Sequence, residues 1–116
     1  MAKAYQMPFK AITLVAGADL SDKRYCAIAV NTDGEGVVAT ATTAGIGILA
    51  DGVKLGQPAT VTTDGAVYCV LGDTVAAGDE VQADADGKIV KLSSGKKIGI
   101  CLVGGKADGI GTVLLK

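Results

Sequence analysis

Short runs in which apolar and polar residues alternate, or in which β-branched residues cluster, follow one another along the whole chain. Runs of this kind, bounded by turn residues, predict β-strands. No window carries an apolar stripe with the period of a helix, so at most one short helix is expected, a single turn within residues 18–24. The predicted strands are 10–15, 24–30, 36–42, 47–50, 59–63, 66–71, 80–83, 88–92, 98–103 and 111–115.

Asp-Gly dipeptides separate many of these runs. Such a pair supplies the positive φ angles that tight hairpin turns need, so each one is predicted to be a turn. The 17 glycines and two prolines also favour tight turns over long loops. The pattern predicts an all-β fold, a small β-barrel or sandwich of short strands. The five dipeptides lie at 33–34, 51–52, 64–65, 86–87 and 108–109.

The second half of the chain repeats features of the first at a nearly constant offset. Two interpretations are open: a chance similarity in a chain rich in glycine and valine, or two related β-units that share a core. We predict the second, a domain of two pseudo-repeated halves. The matching segments are Ile-Gly-Ile at 46–48 and 98–100, Thr-Val at 60–61 and 112–113, and Asp-Gly at 33–34 and 86–87.

Composition limits the core and the partners. Apolar residues make up 49% of the chain, but there is no Trp and only one Phe, so the core must consist of aliphatic side chains. The 11 basic and 12 acidic residues are spread along the chain, and without a basic stripe no nucleic-acid partner is expected. The N-terminus lacks the apolar core of a signal peptide and no apolar run approaches the roughly 18 residues of a membrane span, so synthesis in the cytoplasm and no membrane partner are expected.

Residue types that carry catalysis are scarce. The chain has no histidine, which removes the commonest general base and transition-metal ligand. Its three cysteines, Cys26, Cys69 and Cys101, lie far apart within apolar strand patterns, where each is predicted to be a buried thiol. No catalytic residue, metal ligand or cofactor site is predicted, and the protein is expected not to be an enzyme.

Three weaker motifs are better explained by turns and packing. Residues 45–50 fit the G-x-G-x-x-A dinucleotide pattern, but Asp51-Gly52 follows where that pattern needs a helix. Residues 84–87 match part of a calcium loop whose last acidic position is Ser93 in this chain. Asp79-Glu80 forms a carboxylate pair that ordinary surface turns also contain.

The segment Val-Ala-Ala-Gly-Asp-Glu-Val-Gln-Ala-Asp-Ala-Asp-Gly-Lys-Ile-Val at 75–90 stands out from this background. Ile-Gly-Ile-Cys-Leu at 98–102 and Gly-Ile-Gly-Thr-Val-Leu-Leu at 109–115 follow it. Together they resemble the C-terminal half of the capsid decoration (cement) proteins of tailed bacteriophages, and the layout is similar over residues 10–116. The resemblance implies a structural protein of the virion that binds the major capsid protein on the outer surface of the assembled shell and stabilises it. It also implies a homotrimer or another small homo-oligomer.

The N-terminal residues 1–9 match no part of that family. They contain Tyr5, Pro8 and Phe9, and thus half of the aromatic residues of the chain. Because aromatic residues are strong interface anchors, we predict an arm that contacts the capsid, ahead of a single β domain at 10–116. The alternative is that Phe9 begins the first strand and closes one end of the barrel.

Two other functions remain open from the sequence. A small β-barrel ligand-binding module, of the SAF type that recognises sugars or polyols, contains similar Gly-Asp-Glu-Val and Gly-Lys-Ile-Val elements. Such a module should have a concave pocket with converging polar groups, whereas a decoration protein should have flat contact surfaces. A head-fibre or tail component belongs to the same virion class as a decoration protein.

Overall fold

The computed structural model describes the backbone of residues 7–116 and the side chains from residue 10 onward. This part of the chain forms nine strands and no helix, which confirms the all-β prediction. The helical turn considered within 18–24 is replaced by tight turns, in which Leu20 and Lys23 accept hydrogen bonds from residues three positions later. The strands are β1 (Met7–Val15), β2 (Ala27–Val30), β3 (Gly36–Val38), β4 (Gly47–Leu49), β5 (Pro58–Val70), β6 (Glu80–Ala83), β7 (Ile89–Lys91), β8 (Lys97–Val103) and β9 (Ile110–Leu115).

All the described strands belong to one antiparallel sheet with the order β3-β2-β4-β5-β9-β8-β6-β7, and β1 pairs with β5. The long β5 serves two groups of strands. Its first part pairs with β1 and β4, and its second part pairs with β9. The first half of the domain therefore runs from β1 to the first part of β5, and the second half runs from there to β9.

The two halves match strand for strand and in register. Ile48 lies opposite Thr62 in the first half, and at the equivalent place Ile100 lies opposite Leu114. Chance similarity would not preserve the register of successive strands, so the predicted duplication is confirmed. Further equivalent pairs are Ile28↔Val38 with Val81↔Lys91, Val30↔Gly36 with Ala83↔Ile89, and Ala27↔Ile48 with Glu80↔Ile100.

Each half curls until its outermost strand meets its first strand. A parallel bridge joins Ala16 to Gly36 in the first half, and one joins Leu71 to Ile89 in the second. The apolar residues enclosed in this way correspond one to one, because the strand register is the same. The first-half core is Ala16, Leu20, Ile28, Leu49, Ala59 and Val61, and its counterparts are Leu71, Val75, Val81, Cys101, Gly111 and Val113.

Two of the five Asp-Gly dipeptides close equivalent hairpins, as predicted. Asp33-Gly34 joins β2 to β3, and Asp86-Gly87 joins β6 to β7. Gly34 and Gly87 both have φ +79°, a conformation that glycine adopts without steric cost. This shared geometry is a further sign of the duplication.

The predicted turn at 64–65 is wrong, because these residues lie inside β5. The predicted strands 59–63 and 66–71 are therefore one continuous strand. Gly65 has φ +97°, and the facing strand shows register shifts between Pro8 and Ala11. A bulge of this kind bends a strand, which allows β5 to leave one half of the domain and enter the other.

Candidate functional site

The predicted capsid-contact residues lie at the edge of the described chain. Tyr5 lies outside the described residues, and Pro8 and Phe9 are described only as backbone within β1. Pro8 lies opposite Gly65, so the first strand begins inside the segment predicted as an arm. The contact role of these three residues stays a prediction.

The cysteines are buried, as predicted. Burial raises the pKa of the Cys69 thiol to about 12, and it also raises the pKa values of Cys26 and Cys101. The thiolate is the reactive form of cysteine, and at neutral pH these groups remain thiols. They therefore act as small apolar residues of the core.

The carboxylates of the weak motifs take part in local structure. The Asp79 carboxylate accepts a hydrogen bond from the Ala76 N–H at 3.0 Å, and Glu80 pairs with Lys97 at 2.8 Å. Asp84 accepts hydrogen bonds within its own hairpin. Among the residues that the structure describes, no group of histidine, cysteine or acidic side chains is arranged to hold a metal ion.

Gly47 of the dinucleotide-like motif lies in β4, and Gly45 lies just before it. A Cβ atom on Gly47 would lie 2.1 Å from the Thr62 carbonyl oxygen, so the absence of a side chain allows β4 to approach β5. Gly99 has the same relation to the Leu114 carbonyl oxygen, again at 2.1 Å. The packing interpretation of this motif is confirmed, and it applies to both halves.

Arg24, Tyr25 and Tyr68 form a surface cluster that sequence reasoning missed. The Arg24 guanidinium carbon lies 4.6 Å from the centre of the Tyr25 ring. The Tyr25 and Tyr68 rings meet edge to face, with their centres 5.5 Å apart. Arg24, the single arginine of the sequence, also donates a hydrogen bond to the Ala50 carbonyl at 3.3 Å and lies 3.8 Å from Asp51. Arginine and tyrosine are among the residue types most enriched at the energetic centres of protein interfaces.

Tyr25 has a left-handed backbone, with φ +66°. Its counterpart in the second half is Gly78, with φ +91°. This conformation costs a non-glycine residue about 1–2 kcal/mol. The first half therefore has a strained tyrosine where the second half has an unstrained glycine. Strained backbone conformations of this kind cluster at functional sites. The sequence signal that could have found it was the alignment of the halves, which places Tyr25 opposite a glycine.

A shallow recess of about 160 Å³ lies beside this cluster. Besides the three clustered residues, Leu49, Ala50, Thr62 and Val67 line it. A second recess, of about 280 Å³, lies where β4 and β9 diverge and contains Lys97 and Lys116. Sites for drug-sized ligands measure about 300–1,000 Å³. Both recesses are therefore smaller than a typical site for a drug-sized ligand.

One face of the sheet is uncharged and exposed in the first half. We call it the first-half outer face; it consists of Ala11, Thr13, Val15, Pro58 and Thr60, and Val15 is 51% exposed. The equivalent face in the second half is covered at Ala66 and Thr112, which are 6% and 0% exposed, but Ile110 on it is 46% exposed. Among the described residues, this face is therefore more exposed in the first half than in the second.

The observed architecture is a duplicated antiparallel β-domain whose two halves share a central strand. Among solved structures, it is similar to the N base of head fibre gp8.5 of bacteriophage phi29, with a TM-score of 0.76. The match covers 92% of this chain and 93% of the phage protein, at 17% sequence identity. At this level of identity the similarity shows the shared fold.

Sequence comparisons add no relative. No protein-family model matches the chain, and no curated protein matches it. Within the described residues, no helix is long and apolar enough to cross a membrane.

Proposed function

We propose that this chain is a structural, non-enzymatic protein of a bacteriophage virion that binds the outer surface of the assembled capsid and stabilises it, as decoration proteins do. The observation that carries the proposal is the shared fold with a phage head-fibre base over nearly the whole of both chains. The sequence pattern of residues 75–115 supports the same class of protein independently, because it resembles phage decoration proteins.

The exposed surfaces of the domain support a protein partner. The first-half outer face is uncharged, and Val15 on it is half exposed. The Arg24–Tyr25 pair adds a cation–π contact that contributes about 0.5–1 kcal/mol at an exposed site and holds both side chains ready for a partner. The major capsid protein is the proposed partner, and self-association into a trimer or another small homo-oligomer is part of the proposal. Many weak copies on one shell gain avidity together.

A head-fibre base is the second candidate. The similarity to the phi29 protein favours it directly, since that protein is itself the N base of a head fibre. The two roles differ in what the bound protein does to the shell. A decoration protein raises the temperature at which capsids disrupt, whereas a fibre base binds without this effect.

A sugar- or polyol-binding module is less well supported. The recess beside Tyr25 and Tyr68 measures about 160 Å³, below the size range of small-molecule sites. The Arg24 side chain at its rim is engaged by the Ala50 carbonyl and lies near Asp51, so few polar groups remain to converge on a ligand.

Co-sedimentation with empty, expanded capsids, assembled from the major capsid protein encoded alongside the chain, tests the proposal. We expect saturable binding with a fixed number of copies per capsomer and a raised disruption temperature. Removal of residues 1–6, which include Tyr5 of the predicted arm at 1–9, is expected to weaken binding and to keep all nine described strands, the first of which is Met7–Val15. Unchanged binding by the truncated chain would contradict the contact role of Tyr5, and absence of binding by the full chain would contradict the proposed function.

A further inference from the structure

The two equivalent hairpin turns of the domain differ in their surroundings. The Gly87 carbonyl, at the tip of the second-half hairpin, accepts a hydrogen bond from the Ala27 N–H at 2.8 Å. A Cβ atom on Gly87 would lie 2.6 Å from the Val38 side chain and 3.4 Å from Cys26. The turn is therefore docked closely against Cys26 and Ala27 at the start of β2 and against Val38 at the end of β3.

The first-half hairpin at 31–35 has the same internal construction. The Asn31 side-chain oxygen accepts hydrogen bonds from the N–H groups of Asp33 and Glu35, at 3.0 and 2.9 Å. Asp84 accepts the equivalent bonds from Asp86 and Lys88, at 2.8 and 3.0 Å. These side-chain acceptors fix both turns before any partner binds, which reduces the entropy lost on docking.

The tip of the first-half hairpin is undocked among the residues that the structure describes. No atom lies within 4 Å of the position that a Cβ on Gly34 would take, and Thr32, Asp33 and Gly34 are exposed. Gly34 and Gly87 have the same φ of +79°. The domain thus contains two equivalent hairpins of the same construction. The second-half hairpin packs against the first half of the domain, and the first-half hairpin has no such contact among the described residues.

Resting on the proposed function, we infer that the 31–35 hairpin is a contact with the capsid protein. The docked second-half hairpin indicates what the site on the capsid protein must contain. The site needs an unpaired backbone N–H that donates to the Gly34 carbonyl, and small apolar side chains beside it. Charge adds a second requirement. The docked turn carries Asp86 and Lys88, whereas the free turn carries Asp33 and Glu35, so the site on the partner has basic residues at its rim.

A second copy of this chain does not provide such a site. Cys26, Ala27 and Val38 contact the docked turn. At the equivalent positions the second half has, in the same order, Asp79, Glu80 and Lys91. Glu80 and Lys91 are exposed charged side chains, and Glu80 pairs with Lys97, so a hairpin docked here would bury charged groups where the docked turn meets apolar ones. Burying charged side chains is costly, so this surface disfavours head-to-tail association of copies.

The test compares matched substitutions in the two turns, Asp33→Lys and Asp86→Lys. Both aspartates are exposed and occupy the same turn position, so both variants are expected to fold with unchanged thermal midpoints. In co-sedimentation with expanded capsids, Asp33→Lys is expected to weaken binding by about tenfold or more, because it places a positive charge against the basic rim. Asp86→Lys is expected to bind as the unsubstituted chain does.

The outcomes separate this inference from the proposed function. If the unsubstituted chain fails to bind capsids, both are overturned. If it binds and Asp33→Lys binds equally well, the hairpin inference is overturned and the proposed function stands. Sedimentation velocity of the free proteins completes the test. A changed oligomeric mass for Asp33→Lys would show that the hairpin joins copies of this chain, which also overturns the inference.

Discussion

Replacing Gly47 or Gly99 by alanine is expected to lower the free energy of unfolding by about 3 kcal/mol or more, at or above the upper end of overpacking costs. In each case the new Cβ would lie 2.1 Å from a backbone carbonyl oxygen of the facing strand, that of Thr62 or Leu114. A backbone atom cannot rotate away, so β4 would have to separate from β5, or β8 from β9. Because the two positions are equivalent, the two losses should be similar in size.

Gly36→Ala is the matched control. Its Cβ would meet the Ile28 side chain at 3.5 Å, an ordinary van der Waals distance, and its counterpart in the second half is Ile89. We expect a change of less than about 1 kcal/mol. Urea denaturation followed by circular dichroism measures all three variants. A loss of less than about 1 kcal/mol for Gly47→Ala would contradict the close strand approach on which the duplicated fold depends.

Leu20→Ala is expected to destabilise the domain by about 2–5 kcal/mol. Leu20 is fully buried in the first-half core, where several of its neighbours are alanines and valines. Such small neighbours cannot move in to fill the space that a missing leucine side chain leaves. The cavity therefore remains and adds its own cost to the lost burial of the side chain.

Leu55→Ala provides the control for this substitution. Leu55 is 66% exposed, so the same chemical change should alter the free energy of unfolding by no more than about 0.5 kcal/mol. Thermal and urea unfolding of both variants measure the difference. Equal stability of Leu20→Ala and Leu55→Ala would mean that the first half has no packed core of its own.

The fold was largely predictable because the repeated motifs have strict local requirements. Asp33-Gly34 and Asp86-Gly87 need positive φ angles at the same place in equivalent hairpins. The Ile-Gly-Ile segments need a glycine where two strands nearly touch. Requirements of this kind depend on a few neighbouring residues, so a single sequence reveals them.

The failures have a different cause. Asp64-Gly65 has the same local signal as a hairpin turn, but in this chain it bends one strand that serves both halves. Whether Asp64-Gly65 forms a hairpin turn or a bend within one strand is decided by the pairing of β5 with β1, β4 and β9. That pairing joins residues far apart in the sequence. Tyr25 and Tyr68 come together for the same reason, since they lie far apart in sequence and meet where the two halves join.

Image reconstruction of expanded capsids mixed with the purified protein shows whether the protein binds the outer surface of the shell. We expect additional density on that surface, at symmetry-related positions, into which a domain of two similar β-halves fits. Capsids without added protein provide the reference. Bare shells at saturating protein, or density only inside the shell, would contradict the assignment to the outer surface of the capsid.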